Sequence, residues 1–491
     1  MLVVAIEPRK GKSVVSEGAL LNIKFIQGKY KTELMESHKS VGAEVQASLS
    51  VKRRSEMSDA ERVLHLQDKL YQKAKQEKGY KFYVLYDKVF LPYIIRESWQ
   101  QVKRNGGSAG TDGKFVSDIV KYGEEQYLSE LMEELRKRTY KPQAVKRVMI
   151  PKANGGERPL GIPVIKDRIV QTACKLILEP IFEADFSDSS FGFRPKLGAR
   201  NAMAAIKEHL KEGKTSVLDA DLSKYFDTIP HDKLMIALRE RIADPRILSL
   251  IESWLKAPVQ ENGELKGGKK NKTGTPQGGV ISPLLANVYM NLLDRIVDKG
   301  GSMFEQLGVK IVRYADDFVL MGKSIPDGLM ERLKSLLKRM GLSINEEKTK
   351  RIDAREESFN FLGFTVRYSK SLFGAGQRYW EIFPSKKSEN KIREKIATYL
   401  DGHGHISAME IALELNKIIA GWLNYFDIKG TSYTAMSKRD LRYYLYEKLN
   451  RYFNRKSQRR SRLYGRKAFE VLRCRYGMID PTKYSTRTRP L

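Results

Sequence analysis

"RYADDFVL", residues 313–320, sets two adjacent acids inside a run that otherwise favours strand. Val309, Ile311, Val312 and Tyr314 precede the acids; Phe318, Val319 and Leu320 follow them. β-branched and aromatic residues suit a pleated, half-buried surface, whereas Asp is depleted from strands and common in turns. The stretch therefore reads as two strands joined by a tight turn at Asp316-Asp317. An Asp-Asp turn alone is ordinary. Two neighbouring carboxylates nonetheless repel, and a buried setting would sharpen that repulsion.

A second acidic strand lies upstream in "SVLDADLSKYFDTI", residues 216–229. Strand alternation points Leu218, Ala220 and Leu222 one way and Asp219 and Asp221 the other. One such pair is most simply a solvated face. Two acidic sites on strands bounded by apolar runs are expected to meet at a central sheet. Carboxylates gathered there call for a cation. Oxygen-only ligands select a hard ion, Mg²⁺ before Ca²⁺. Mg²⁺ keeps several waters and takes one or two carboxylates plus substrate phosphates, and a pair of such ions is the apparatus of in-line phosphoryl transfer.

Composition narrows the partner. The 491 residues suffice for roughly two to four domains. The formal net charge is +30. A chain so basic repels itself unless a polyanion neutralises it, with nucleic acid the first choice and an anionic membrane surface the second. No apolar run approaches the roughly 18 residues needed to span a bilayer. "MLVVAI" at the start is too short for a signal-peptide core. Cys174 and Cys474 are the only cysteines, which excludes a disulfide framework or a multi-Cys zinc site and suits a reducing compartment. His403 and His405 lie in a loop with no Cys nearby. Walker, GxSxG and HExxH motifs are absent.

Helical periodicity begins at Asp59 and continues toward Val89, with Val63, Leu66, Leu70 and Ala74 at spacings of three and four. A second helix is expected from Pro92 to Arg104. "VKRVMIPKANGGERPLGIPV" reads as a hairpin around Asn154-Gly155-Gly156. Ser282-Pro283 opens a helix running to about Val297. "FNFLGFTV" reads as one short apolar strand, and from about Lys386 the chain turns helical. Beyond Lys438 basic residues outnumber acids roughly fourfold, with tyrosines interleaved. The order αα–ββ–α–β–α–ββ–α–β describes an α+β core with an all-helical basic tail.

In sequence order, "DLSKYFD", "TPQGGVISPLLANVYMNLLD", "RYADDFVL", "INEEKT" and "FNFLGF" resemble the motifs of reverse transcriptases. "RVMIPKANGGERPLGIPVIKDRIVQ" and "FEADFSDSSFGFRP" resemble the fingers of the group II intron subfamily, and "GWLNYF" its maturase helices. The likeness covers about residues 60–455. Each motif is weak alone; their order carries the resemblance. It implies a right-hand polymerase: a leader of uncertain order at 1–57, a helical extension at 58–113, fingers and palm at 114–367, a maturase or thumb domain at 368–455 and a basic DNA-binding tail at 456–491.

The resemblance also implies roles. Asp221, Asp316 and Asp317 would be catalytic and would hold two Mg²⁺ ions, with Mn²⁺ able to substitute and the Leu222 carbonyl a further ligand. Asp219 is left as structural. Lys152 and Arg158 would bind the outgoing triphosphate, a task that suits bidentate Arg. Lys348 and Gln277 would contact the incoming nucleotide, and Phe226 would exclude a ribose 2′-hydroxyl. Phe191 and Arg194 of "FGFRP" would contact the template, with core packing the competing reading. Expected partners are group II intron RNA, target and primer DNA and dNTPs, without a membrane or an obligatory protein partner, in the bacterial cytoplasm. Many family members carry a Cys- and His-rich HNH endonuclease, whose residues are not found here; priming from a pre-existing 3′ end is expected in its place. A host-adopted enzyme of repair or phage defence, and a splicing-only maturase, are the alternatives.

Overall fold

The computed structural model describes residues 57–151, 156–268, 270–276, 278–371, 374, 376–404, 406–455, 461 and 463–485. The leader expected at 1–57 thus lies almost wholly outside the described residues. The chain divides into two compact units, Met1–Leu64 and His65–Leu491. Within the first, Ser58 and Glu61 form a reciprocal cap. The Glu61 carboxylate accepts from the Ser58 backbone at 2.8 Å, and the Ser58 hydroxyl accepts from the Glu61 backbone at 3.3 Å. The helix they open, Asp59–Gln76, ends well before Val89, and the expected continuation is replaced by a short helix at Tyr86–Val89. Everything that follows concerns the second unit.

Its strands are β1 (Val145–Pro151), β2 (Glu157–Ile162), β3 (Ser216–Ala220), β4 (Pro258–Glu261), β5 (Glu264–Gly267), β6 (Lys310–Tyr314), β7 (Asp317–Gly322), β8 (Lys350–Asp353), β9 (Phe359–Phe361), β10 (Phe364–Lys370) and β11 (Arg378–Pro384). They form three sheets, ordered β2-β1-β4-β5, β6-β7-β3-β8 and β11-β10-β9.

The second sheet is the centre. Tyr314 pairs with Asp317, so only Ala315 and Asp316 join β6 to β7. Ala315 takes a positive φ of 61°. A two-residue turn with positive φ at its first residue alone is the II′ pattern, which favours glycine there. Alanine holds that conformation at a cost of order 1 kcal/mol. Antiparallel pairing sets Asp219 opposite Val319 and Ala220 opposite Phe318. Asp317, Val319 and Met321 therefore share one face with Val217, Asp219 and the oncoming Asp221. At its apolar end this face is buried: Val217, Val312, Val319 and Met321 join a core with Phe359 and Phe364. At its other end it carries the acids. Helix Ser282–Asp298 packs against β6 and opens with Pro283 in its first turn, as expected.

Three features depart from the sequence reading. "FNFLGFTV" is two strands, β9 and β10, broken by Leu362 and Gly363, both at positive φ. The β4–β5 hairpin, turning at Asn262-Gly263, extends the first sheet and was not anticipated. The boundary expected at residue 455 falls inside one packed body. Helices Lys386–Gly402, Ala408–Phe426, Ala435–Arg455 and Ala468–Tyr476 share a core that includes Ile396, Leu415, Leu445 and Phe469.

Candidate active site

Asp316 sits in the β6–β7 turn and Asp317 begins β7. Continuing the β3–β7 register sets Asp221, one residue past β3, opposite Asp317. The end of β3 is held from its other side by the "INEEKT" segment. The Asp221 carbonyl accepts from Asn345 N–H at 2.8 Å, and Ser223 N–H donates to Ser343 at 2.9 Å. That bridge leaves the Leu222 carbonyl outside its own hydrogen bonds. Lys348 lies at the same place, with Nζ 3.1 Å from the Asp221 carboxylate.

The electrostatics mark the four acids as neighbours. Loss of hydration raises Asp316 above the usual carboxylate range; Asp221 adds to the rise, and its own backbone N–H and Arg158 oppose it. Asp317 has an exposed surface, yet the protein around it strips enough water to push it up to about 6. The charges of Asp316, Asp221 and Asp219 add to that push. Asp219 is also pushed to about 6, first by burial and then by Asp221, against the pull of Lys350 across the ladder. Its alternation with Asp221 had been read as structural; the repulsion makes it part of the acidic face.

Among the described residues no group of three or more His, Cys, Asp or Glu is drawn together as a metal-holding cluster. The donor chemistry still fits a hard cation. Asp221, Asp316, Asp317 and the Leu222 carbonyl offer oxygen only, and the buried Arg313 guanidinium whose charge reaches Asp316 is itself paired with Asp294. The Lys348–Asp221 pair is exposed, so its strength is of order 1 kcal/mol or less and a divalent ion would displace it.

Arg158 stands exposed on β2, opposite Ile150, and its charge reaches both Asp316 and Asp317. Lys152 and Gln277 lie outside the described residues. The loop leading to Gln277 is well anchored. Thr275 N–H donates to the Phe226 carbonyl at 2.7 Å, and Gly274 N–H to Ile229 at 2.9 Å. His231 Nε2 lies 2.7 Å from the Gly274 carbonyl, so this nitrogen carries the proton. On the far side, a Cβ on Gly278 would stand 2.2 Å from the Gly161 carbonyl of β2. Gln171, from helix Ile165–Glu183, accepts from Val280 N–H at 2.9 Å. Phe226 is thereby locked beside the loop, half-buried, with its ring edge-on to Tyr225 at 5.4 Å. Tyr225 is buried and donates to the Ala286 carbonyl at 2.7 Å, a packing role. His231 and Gln171 carry no motif that marks them in the sequence.

The template contacts expected of Phe191 and Arg194 are corrected. Phe191 is buried in the core beneath the central sheet. Arg194 donates to both Glu183 oxygens and to the carbonyls of Ser187 and Ser190, which leaves its guanidinium enclosed. With all three nitrogens held and the side chain enclosed, this guanidinium is not presented to a template phosphate. The exposed aromatic of this segment is Phe193, at φ 57°.

The C-terminal helices reach the same place. Tyr425 donates to the Leu362 carbonyl at 3.0 Å and stacks on Phe364 at 5.7 Å. Burial, then Tyr314 and Asp317, push its phenol to about 12. "GWLNYF" and "FLGF" are thus complementary surfaces, and glycine is favoured at 363 by its φ of 80° and by Ser388 Oγ, 2.9 Å from where a Cβ would stand. Further along, Tyr443, Arg451, Arg455 and Arg466 face solvent.

A family model described as reverse transcriptase (RNA-dependent DNA polymerase) matches residues 150–366. A second, described as group II intron, maturase-specific domain, matches residues 389–469. Protein YkfC of Escherichia coli is 36% identical over 294 residues, covering 53% of this chain and 76% of that protein. Group II intron-encoded protein LtrA of Lactococcus lactis is 29% identical over 348 residues, covering 58% of this chain and 57% of its own. The putative COX1/OXI3 intron 2 protein of Saccharomyces cerevisiae is 30% identical, with 59% and 39% covered. The chain thus spans most of YkfC but only about half of LtrA and less of the yeast protein. Among solved structures, a partial Cas6-RT-Cas1–Cas2 complex aligns at a TM-score of 0.32 and 22% identity, covering 52% of this chain and 42% of that one, too distant to bear on function.

Proposed function

The chain belongs to the family of group II intron-encoded reverse transcriptases and maturases, and we propose that it binds its intron RNA, assists its splicing and copies it into DNA during retrohoming. The observation that carries this reading is the meeting of Asp221, Asp316 and Asp317 at one sheet end, with Arg158 facing them and Phe226 locked beside the Gln277 loop. In a right-hand description, β1, β2, β4 and β5 form the fingers. The central sheet is the palm, and the helices after Lys386 are the thumb.

A reverse transcriptase domain implies a divalent ion; we read it as a pair of Mg²⁺, replaceable by Mn²⁺. Asp221, Asp316, Asp317 and the Leu222 carbonyl would hold them. A metal pair bound there would supply a lowered pKa at the attacking 3′-hydroxyl and neutralisation of the leaving pyrophosphate. The protein's own groups do the rest. Arg158, with Lys152, orients the triphosphate by bidentate hydrogen bonds. Phe226 closes the space a 2′-hydroxyl would occupy, so dNTPs are chosen. Gln277 contacts the incoming nucleotide, and Lys348, released from Asp221, is free to bind the nucleotide's phosphates. The basic helices and tail hold template–primer duplex, target DNA and intron RNA through phosphate contacts. No helix among the described residues is long and apolar enough to cross a membrane.

Primer extension on an RNA template with Mg²⁺ tests the reading, wild type beside Asp316→Ala. The wild type should extend, and the variant should lose more than about 100-fold in rate. Equal extension by the two would place the active site elsewhere. Assisted splicing without extension by either would leave an RNA-binding maturase that does not polymerise.

A further inference from the structure

Beneath the catalytic turn lies a charged group that the proposed chemistry does not use. Arg313, the first residue of "RYADD", is 0% exposed, as is its partner Asp294. Nε and Nη2 donate to the two Asp294 oxygens at 2.5–3.0 Å. Nη1 donates to Asn287 Oδ1 at 3.0 Å and to the Ala315 carbonyl at 2.8 Å. Asn287 in turn donates to the Gly192 carbonyl at 2.7 Å. The Gly192 backbone presses on the turn so closely that a Cβ would stand 2.3 Å from the Ala315 nitrogen. Arg313 also exchanges backbone hydrogen bonds with Ser189 and Phe191, at 2.9 and 2.8 Å. One guanidinium therefore ties helix Ser282–Asp298, the "FGFRP" segment and the β6–β7 turn together.

A buried ion pair is a poor source of stability, because desolvation offsets most of the attraction. It does fix geometry when all three guanidinium nitrogens are held, as here. What it grips is a turn that alanine adopts unwillingly, immediately before Asp316. We propose that Arg313, held by Asp294 and Asn287, is a positioning residue that clamps the Ala315 carbonyl and so sets where the Asp316 carboxylate points. This rests on the polymerase reading above.

The test uses the full chain in single-nucleotide primer extension, with thermal melting and template–primer binding measured in parallel. Arg313→Lys keeps the charge but cannot span Asp294 and the Ala315 carbonyl at once. A misplaced carboxylate should lower kcat by about 10- to 100-fold, with KM for dNTP and template–primer affinity within about 3-fold of wild type. The Mg²⁺ concentration for half-maximal rate should rise several-fold. Asn287→Ser, a milder cut that also decides the matter if Arg313→Lys fails to fold, should show the same signature at about 3- to 10-fold. Adding Ala315→Gly, which removes the cost of positive φ, should restore at least about 3-fold of the kcat lost in Arg313→Lys. Variants that melt lower but keep wild-type kcat and Mg²⁺ dependence would overturn the proposal, as would no recovery with Ala315→Gly. A wild type unable to extend primers would bring down the polymerase reading and this inference with it. An active wild type beside a dead Asp316→Ala isolates the clamp.

Discussion

The central sheet and the C-terminal helices each bury a continuous apolar core, yet they place charge in opposite ways. In the sheet, Arg313 and Asp294 are sealed off from water as a pair, and the acids crowd at the strand ends beside them. In the helices the core is mostly Ile, Leu and Phe, with Asp480 buried against Arg442, and Arg451, Arg455 and Arg466 stand outside. The first arrangement makes position depend on a few groups, each with fixed partners. The second makes affinity a sum over many interchangeable contacts. A single change should therefore be severe in the sheet and slight in the helices.

Three experiments press on that contrast, beyond the two already described. The largest effect is expected at Phe226. Phe226→Val should lower discrimination of dNTP over rNTP by about 10- to 100-fold, the range an apolar wall can supply against an added hydroxyl. Single-nucleotide kinetics with each substrate would check this; unchanged discrimination would remove Phe226 from sugar selection. A smaller effect is expected at Arg466→Ala in the helical region. RNA affinity should fall by less than about 10-fold, and the slope of log K against log salt should flatten by about 0.7–0.9, one phosphate contact's share. A loss as steep as those in the sheet would break the comparison.

The smallest effect concerns the acids without a divalent ion. Loss of hydration and the neighbouring carboxylates push Asp317 up to about 6 in the folded chain, from the ordinary aspartate value of 3.8. The folded state then binds more protons than the unfolded one between about pH 4 and 6, so its stability falls as pH rises through that window. In chelator at pH 7, Asp317→Asn should melt about 1–2 °C higher than wild type, and the gain should vanish near pH 4. Melting curves at the two pH values settle the sign. A lower melting temperature at pH 7 would mean that the charged carboxylate is satisfied rather than repelled.

Much of the site was legible residue by residue. The alternation in "VLDADL" and the hairpin carrying Arg158 are local patterns that the structure builds as expected, whereas the turn expected at Asp316-Asp317 falls one residue earlier, at Ala315-Asp316, because Asp317 pairs with Tyr314 as the first residue of β7. "FLGF" was misread because its break depends on Leu362 and Gly363 adopting positive φ where the chain passes close to Ser388 and Phe426. Arg194 was misassigned because an arginine in a loop looks available until Glu183, eleven positions away, is seen to hold it. The β4–β5 hairpin did carry a signal, Asn262-Gly263, that a turn-based reading could have used.

Composition, motif order and strand periodicity were sufficient for the class of partner, the family likeness and the acids on which catalysis is proposed to rest, because these follow from what each residue is and which neighbours it has along the chain. The pairing of Lys348 with Asp221, 127 positions apart, belongs to the folded molecule alone. So do the enclosure of Arg313 by Asp294 and Asn287 and the lock between Phe226 and Thr275. Each depends on register between strands and on which helix covers which face. A side-chain pattern of period two names the face a residue takes, but not the partner waiting there.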